Sequence, residues 1–192
     1  MYFVDEKFEF LNTSETPLEK GEYEDCTFIN CQLDQADLQS FSFSDCQFEM
    51  CDLSMANLKN AAFQHVKFKN CKLLGLRFEE CNKFILTLDF EGCMLNYSSF
   101  YQLNLKKINF ANCQLQEVDF TETDLTQARF DQCDLHLATF ERTILEKADF
   151  RTAVHFAIHP ETNRLKKAKF STKGLSGLLT QYNILISDEE VV

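Results

Sequence analysis

A stacked solenoid is the fold this sequence predicts, and two observations carry that reading. From Phe90 to Phe150 every fifth residue is Phe or Leu in strict alternation: Phe90, Leu95, Phe100, Leu105, Phe110, Leu115, Phe120, Leu125, Phe130, Leu135, Phe140, Leu145 and Phe150. A period of five fits neither the 3.6 of a helix nor the 2.0 of a flat strand. It fits a column in which each short unit buries its apolar residue only against its neighbours. The second observation is a small residue two places before each large one. Cys26, Cys31, Ala36, Cys46, Cys51, Ala56, Ala61 and Cys71 hold that place in one stretch, and Cys93, Ser98, Cys113, Thr123, Ala128, Cys133, Ala138 and Ala148 in the next. A large residue at position i and a small one at i−2 can both point inward if four pentapeptides make one square turn. The other three residues of each unit then face water.

Taken in order, residues 1–20 carry a faint form of the repeat (Phe3, Phe8, Leu18) with Pro17, and read as a degenerate cap over the open end. A first block spans 21–81, with i positions from Tyr23 to Phe78. Twelve residues separate Phe78 from Phe90, two units plus two extra, so a frame break is placed at 82–87, as a bulge or short loop with room for a bend. The second block spans 88–170. Beyond it, residues 171–192 begin with Ser171 as a helix N-cap. Leu175, Leu178, Leu179 and Tyr182 then follow at i, i+3, i+4 and i+7, the stripe of one amphipathic helix of ~12 residues. A short strand Ile184–Ile186 and an acidic tail complete the chain. The stripe reads as a solenoid cap and also as a homodimer contact.

The pattern resembles the pentapeptide-repeat family, A(D/N)LXX. Ala36-Asp37-Leu38, Ala56-Asn57-Leu58 and Ala148-Asp149-Phe150 match that motif, and the resemblance runs from about Gly21 to Phe170. It implies a right-handed quadrilateral β-helix, an all-β solenoid. Twenty residues per coil give ~7 coils, and at the ~4.8 Å strand spacing a column ~35 Å long.

Composition bounds the rest. A length of 192 residues suits one domain, with no apolar run of transmembrane length and no signal peptide in Met1-Tyr2-Phe3-Val4-Asp5. All nine cysteines occupy i−2 places, where Cys is a small buried filler. Cys31, Cys51 and Cys71 should stack in one file, as should Cys93, Cys113 and Cys133. Parallel thiols suit neither a disulfide nor a tetrahedral metal, and free thiols in this number point to a reducing cytoplasm. No cofactor or metal site is expected. No nucleophile–base pair stands out among the four histidines, and five glycines leave no phosphate-binding loop, so an enzyme is excluded. His155, at an i position, is expected inside the last full coil.

The formal net charge is −11. Residues 21–58 hold eight acids and no Lys or Arg: Glu22, Glu24, Asp25, Asp34, Asp37, Asp45, Glu49 and Asp52. Over ~9 Å of column this rivals the one charge per ~1.7 Å of duplex DNA. Over residues 21–170 the count is 22 acids against 16 bases, so only local imitation of DNA is possible. Residues twenty apart should lie one above the other. That pairs Glu49 with Lys69, Asp52 with Lys72, Glu122 with Arg142, Arg129 with Asp149, and Asp131 with Arg151. Left without a basic neighbour are Glu22, Glu24, Asp25, Asp45, Glu117, Asp119, Asp124 and Asp134, the candidate partner-binding surface.

One branch of the family resembled consists of cytoplasmic proteins that bind type II topoisomerases and protect them: the Qnr quinolone-resistance, albicidin-resistance and microcin-immunity proteins. The segment Cys93-Met94-Leu95-Asn96-Tyr97-Ser98-Ser99-Phe100-Tyr101 is similar to the albicidin-resistance type, and 158–171 resembles that branch's terminal turn. The projecting loops of Qnr columns are absent. The resemblance implies binding to DNA gyrase or topoisomerase IV as a partial DNA mimic, with a homodimer through the C-terminal helix. Neither nucleic acid nor membrane is an expected partner. The alternative is a scaffolding protein that binds a partner through its flat walls.

Overall fold

The computed structural model describes residues 1–187, so the acidic tail expected at 188–190 lies outside the described residues. Eleven short parallel strands form the column: β1 (Tyr2–Val4), β2 (Lys7–Glu9), β3 (Glu22–Glu24), β4 (Thr27–Ile29), β5 (Ser42–Ser44), β6 (Gln47–Glu49), β7 (Ala62–Gln64), β8 (Val66–Lys69), β9 (Leu88–Glu91), β10 (Asn109–Ala111) and β11 (Arg129–Asp131). One wall is the sheet β1-β3-β5-β7, and the next is the seven-stranded sheet β2-β4-β6-β8-β9-β10-β11. Single parallel bridges build the other two walls, for example Gln32↔Asp52↔Lys72 on the third and Ser99↔Asp119↔Thr139 on the fourth. The molecule is an all-β solenoid of four walls, as the five-residue period predicts.

Its register follows from the corners. In one coil Asp25, Asn30, Gln35 and Ser40 all take left-handed φ angles, from 53° to 61°. Such a conformation costs an L-residue roughly 1 kcal/mol. Each corner offsets it with a bond to the coil above: Asp25 N–H donates to Ser44 O, Asn30 to Glu49, Gln35 to Ser54 and Ser40 to Lys59, at 2.8–3.0 Å. Four corners of five residues give the repeat of twenty, seen in Phe28↔Phe48 and Phe110↔Phe130.

The frame break resolves into a loop on the first wall. Asn82 N–H bonds Ala61 O and Thr87 N–H bonds Phe63 O, anchoring both ends at 2.8 and 2.9 Å. Across it the pairing lengthens by two residues, Phe68↔Phe90 and Lys72↔Met94, and then returns to twenty. Because the extra residues leave the wall sideways, the inner files pass unbroken. Phe28, Phe48, Phe68, Phe90, Phe110, Phe130 and Phe150 are buried and ring-stacked, with centroids 4.5–5.5 Å apart.

The cysteines also join into one file, Cys31, Cys51, Cys71, Cys93, Cys113 and Cys133, all buried and unbridged. They do more than fill space. Cys51 Sγ donates to Phe28 O, Cys71 to Phe48 O and Cys93 to Phe68 O, at 3.3–3.4 Å. Ser98, Thr123, Thr143 and Asn163 satisfy Leu73, Phe100, Phe120 and Phe140 carbonyls in the same way, at 2.8–2.9 Å. The i−2 place thus favours a small donor, because the inward residue of the coil below offers a carbonyl there. Burial pushes the Cys46 thiol up to about 12. We expect a colourimetric disulfide reagent at pH 8 to leave all nine thiols unmodified in the native protein and to titrate all nine once denaturant unfolds it.

At the far end three expectations change. His155 is exposed with φ 59°, because the left-handed turn comes two residues before the corner due at Ala157, and Phe156 enters the core instead. The C-terminal helix is 3-10 in geometry, Thr172–Leu178 followed by Thr180–Tyr182, capped by Ser171 Oγ accepting from Gly174 N–H at 3.2 Å. Gly177 explains the tightness: it lies against Phe156, whose ring and carbonyl leave no room for a Cβ, and its carbonyl takes Ile158 N–H at 2.9 Å. Ile184–Ile186 pair with no strand among the described residues. Residues 1–20 form the lowest coil, with β1 and β2 in it: Phe3 and Phe8 stack upward on Tyr23 and Phe28.

Candidate partner-binding surface

The walls sort the eight candidate acids. Glu22 and Glu24 flank inward Tyr23 on β3, and Asp25 and Asp45 stand at the following corners, so these four share the first wall. The other four scatter: Asp124 lies on the first wall beyond the loop, Asp134 on the third wall with Glu117 at its corner, and Asp119 on the fourth. The structure therefore brings together one patch, near the N-terminal end, and not two.

That patch is larger than the sequence reading made it. Asp5, twenty residues before Asp25, occupies the same corner one coil lower, so Asp5, Asp25 and Asp45 form a ladder with φ angles of 53–55°. At ~4.8 Å between rungs their repulsion is not relieved by geometry. Tyr2 OH donates to Glu24. Glu22, Asp25 and Asp5 take no ion pair among the described residues.

Three of the candidates do have cationic or imidazole partners, which correct the expectation that they lack them. His65 Nδ1 lies 3.3 Å from Asp45, one rung up the ladder. Lys106 reaches Asp124 at 3.3 Å, and the Thr126 hydroxyl donates to the same carboxylate at 2.6 Å. His155, swung outward, meets Asp134 at 2.8 Å, with Gln116 donating at 2.9 Å. Partial burial pushes the Asp134 carboxyl up, but the bonds from His155, Gln116 and the His136 backbone outweigh it and hold it below the usual range. Glu117 and Asp119 keep no ion pair among the described residues; Asp119 accepts only Thr121 N–H, at 2.8 Å.

The ladders divide the same way. Asp52–Lys72 (3.7 Å) and Glu122–Arg142 (2.6 Å) form as expected. Glu49 and Lys69 stack in register without a salt bridge. Asp149 binds Arg151 two residues on (2.7 Å) and Lys169 above (3.7 Å) rather than Arg129, and Asp131 accepts the Thr152 hydroxyl instead of Arg151. The Arg151 guanidinium holds Asp149 below the usual carboxylate range. A depressed carboxyl stabilises the fold above its unfolded pKa and loses that contribution as pH falls through the folded one. Asp149→Asn should therefore lower stability at pH 7 by about 0.5–1 kcal/mol and leave it unchanged near pH 2, by urea titration at both values.

The whole column is electrically lopsided. Residues 1–58 hold 13 acids and 2 bases, whereas residues 59–192 hold 17 of each. No three of the described His, Cys, Asp and Glu side chains converge as a metal cluster would require, and no helix among the described residues is long and apolar enough to cross a membrane.

Residues 21–83 and 76–150 match the family described as a pentapeptide repeat region. Among solved structures, a trypsin-treated variant of QnrB1, a plasmid-mediated fluoroquinolone resistance protein, is 21% identical with a TM-score of 0.50, covering 97% of this chain and 98% of that one. HetL, a pentapeptide repeat protein involved in heterocyst differentiation regulation from the cyanobacterium Nostoc sp. strain PCC 7120, is 15% identical with a TM-score of 0.58, covering 91% of this chain and 86% of the other. At these identities what is shared is the fold. No curated protein sequence matches the chain.

Proposed function

We propose, on the premise that this chain belongs to the pentapeptide-repeat family, that it is a binding protein and not an enzyme. Its acidic first wall enters the cationic DNA-binding surface of a bacterial type II topoisomerase, DNA gyrase or topoisomerase IV. Occupancy there shields the enzyme from an inhibitor or toxin, in the cytoplasm where both meet. The observation that carries this reading is the first-wall patch of Glu22, Glu24 and Asp25 over Asp5, left without compensating cations. Uncompensated like charge costs stability, and a cationic partner would relieve that cost while steering encounter. The fold likeness to a fluoroquinolone resistance protein supports the class of partner.

A homodimer contact at the C-terminal segment belongs to the same proposal. Leu178 is half-buried against the column core and Leu179 is half-buried beside it in sequence, which leaves Leu175 and Tyr182 exposed to make it. The second reading is a scaffold or regulatory binder, which the likeness to HetL favours.

Supercoiling by gyrase and decatenation by topoisomerase IV, each with and without a cleavage-complex poison, separate the two. Relief of poisoning or altered turnover at micromolar protein is the expected result. If neither enzyme responds, the topoisomerase reading is lost and the scaffold stands.

A further inference from the structure

The first wall is self-complementary along its length. Four inward residues, Phe3, Tyr23, Phe43 and Phe63, precede the loop on this wall, and four, Leu105, Leu125, Leu145 and Leu165, follow it. The loop sits midway. Outward from the first four stand Asp5, Glu22, Glu24, Asp25 and Asp45, with no Lys or Arg. Outward from the last four stand Lys106, Lys107, Lys147, Arg164, Lys166 and Lys167, against Asp124 and Glu146. Lys106 neutralises Asp124, and neither Lys107, Arg164, Lys166 nor Lys167 enters an ion pair among the described residues. At the midpoint Phe84 is 99% exposed, on a loop anchored at Asn82 and Thr87 and braced by Phe84 N–H donating to Asn82 Oδ1 at 3.2 Å.

From this arrangement we infer that a second copy of the chain packs on the first wall, antiparallel, about a two-fold axis through the Phe84 loop. Reversing one column sets its basic half against the acidic half of its partner and brings Phe84 against the partner's Phe84 loop. A two-fold contact requires a patch that matches itself, which a wall acidic at one end, basic at the other and apolar between provides. A wall ~38 Å long and, at five residues of ~3.3 Å, up to ~16 Å wide would bury roughly 1,200 Å² over both copies, at the lower edge of specific interfaces. A polyanion lying on the basic half alone would leave Phe84 and the acidic half without a role. This contact does not depend on the topoisomerase reading. It uses the same carboxylates, however, so self-association and capture of a cationic partner would compete.

The test is made in the Leu175→Asp/Tyr182→Ser background, which removes any C-terminal contact. Sedimentation equilibrium should show a dimer at 0.05 M salt that weakens at least tenfold by 0.5 M, as screened charge pairing demands. Phe84→Ser and the triple variant Glu22→Lys/Glu24→Lys/Asp25→Lys should each be monomeric with unchanged circular dichroism. Mixing that triple with Arg164→Glu/Lys166→Glu/Lys167→Glu should restore mixed dimers. Phe84→Cys should give a symmetric inter-chain disulfide under mild oxidation, the native thiols being buried. A monomer at every salt concentration, or a dimer indifferent to both Phe84 and the charge variants, would overturn the proposal. So would a chain that binds duplex DNA through the basic half without self-associating.

Discussion

Phe110→Ala is expected to destabilise the column by about 3–5 kcal/mol, the range for removing a fully enclosed aromatic ring. Phe110 is 0% exposed, stacked on Phe90 and Phe130 at 5.3 Å each, with Phe100 and Phe120 edge-on at 5.8 and 6.0 Å. Neighbours cannot close the gap, because every backbone level is held by ladder bonds to the levels above and below. Phe8→Ala is the comparison. Its ring is half-buried in the lowest coil and stacks on one side only, on Phe28 at 4.8 Å. It should cost about half as much, since a repeat column derives its stability from nearest-neighbour interfaces and the end lacks one. Urea unfolding followed by circular dichroism gives both values. Equal costs would show that the column does not behave as a stack of coupled levels.

Reversing charge at Glu22, Glu24 and Asp25 to Lys should lower the affinity for gyrase or topoisomerase IV by about a hundredfold at 0.1 M salt, mostly through slower association. Folding stability should stay within about 0.5 kcal/mol, because Glu22 and Asp25 are exposed and Glu24 only half-buried. The matched control is Glu117→Lys/Asp119→Lys, equally free of ion pairs but on other walls. It should change little if the first wall is the contact. Phe84→Ser separates the two uses of that wall, since it should break self-association and leave topoisomerase capture intact or improved. Similar losses from both acidic sets would mean that net charge, and no particular wall, governs binding.

Much of this architecture was legible from spacing alone. The twenty-residue register, the inward files, the stacking of Cys31, Cys51 and Cys71 and of Cys93, Cys113 and Cys133, and the Ser171 cap all follow from which residue sizes recur at which interval. The candidate surface was legible only in part, for identifiable reasons. Counting Lys and Arg as the sole partners missed His65 beside Asp45 and His155 beside Asp134. Beginning the charge tally at Gly21 left Asp5 out of its ladder, although a step of twenty back from Asp25 finds it. Arg151 folds back on Asp149 within its own coil, a choice between two reachable carboxylates that periodicity does not decide. After Phe150 the apolar residues Val154, Phe156 and Ile158 offer more than one frame, and the core took Phe156. Gly174 and Gly177, three apart, were the visible sign of a 3-10 segment pressed against that ring.

The sideways loop at Asn82–Thr87 carries one more lesson. Two surplus residues were absorbed in a loop on the first wall while the stacked phenylalanine seam ran on past it, so the column tolerates change in its circumference more readily than change in its pitch. Excising a full storey, for instance by joining Gly92 to Cys113, would leave each remaining seam matched to its like. Length in this molecule is therefore an adjustable dimension, and evolution could lengthen or trim such a rod as one resets a ruler, one floor of side chains at a time.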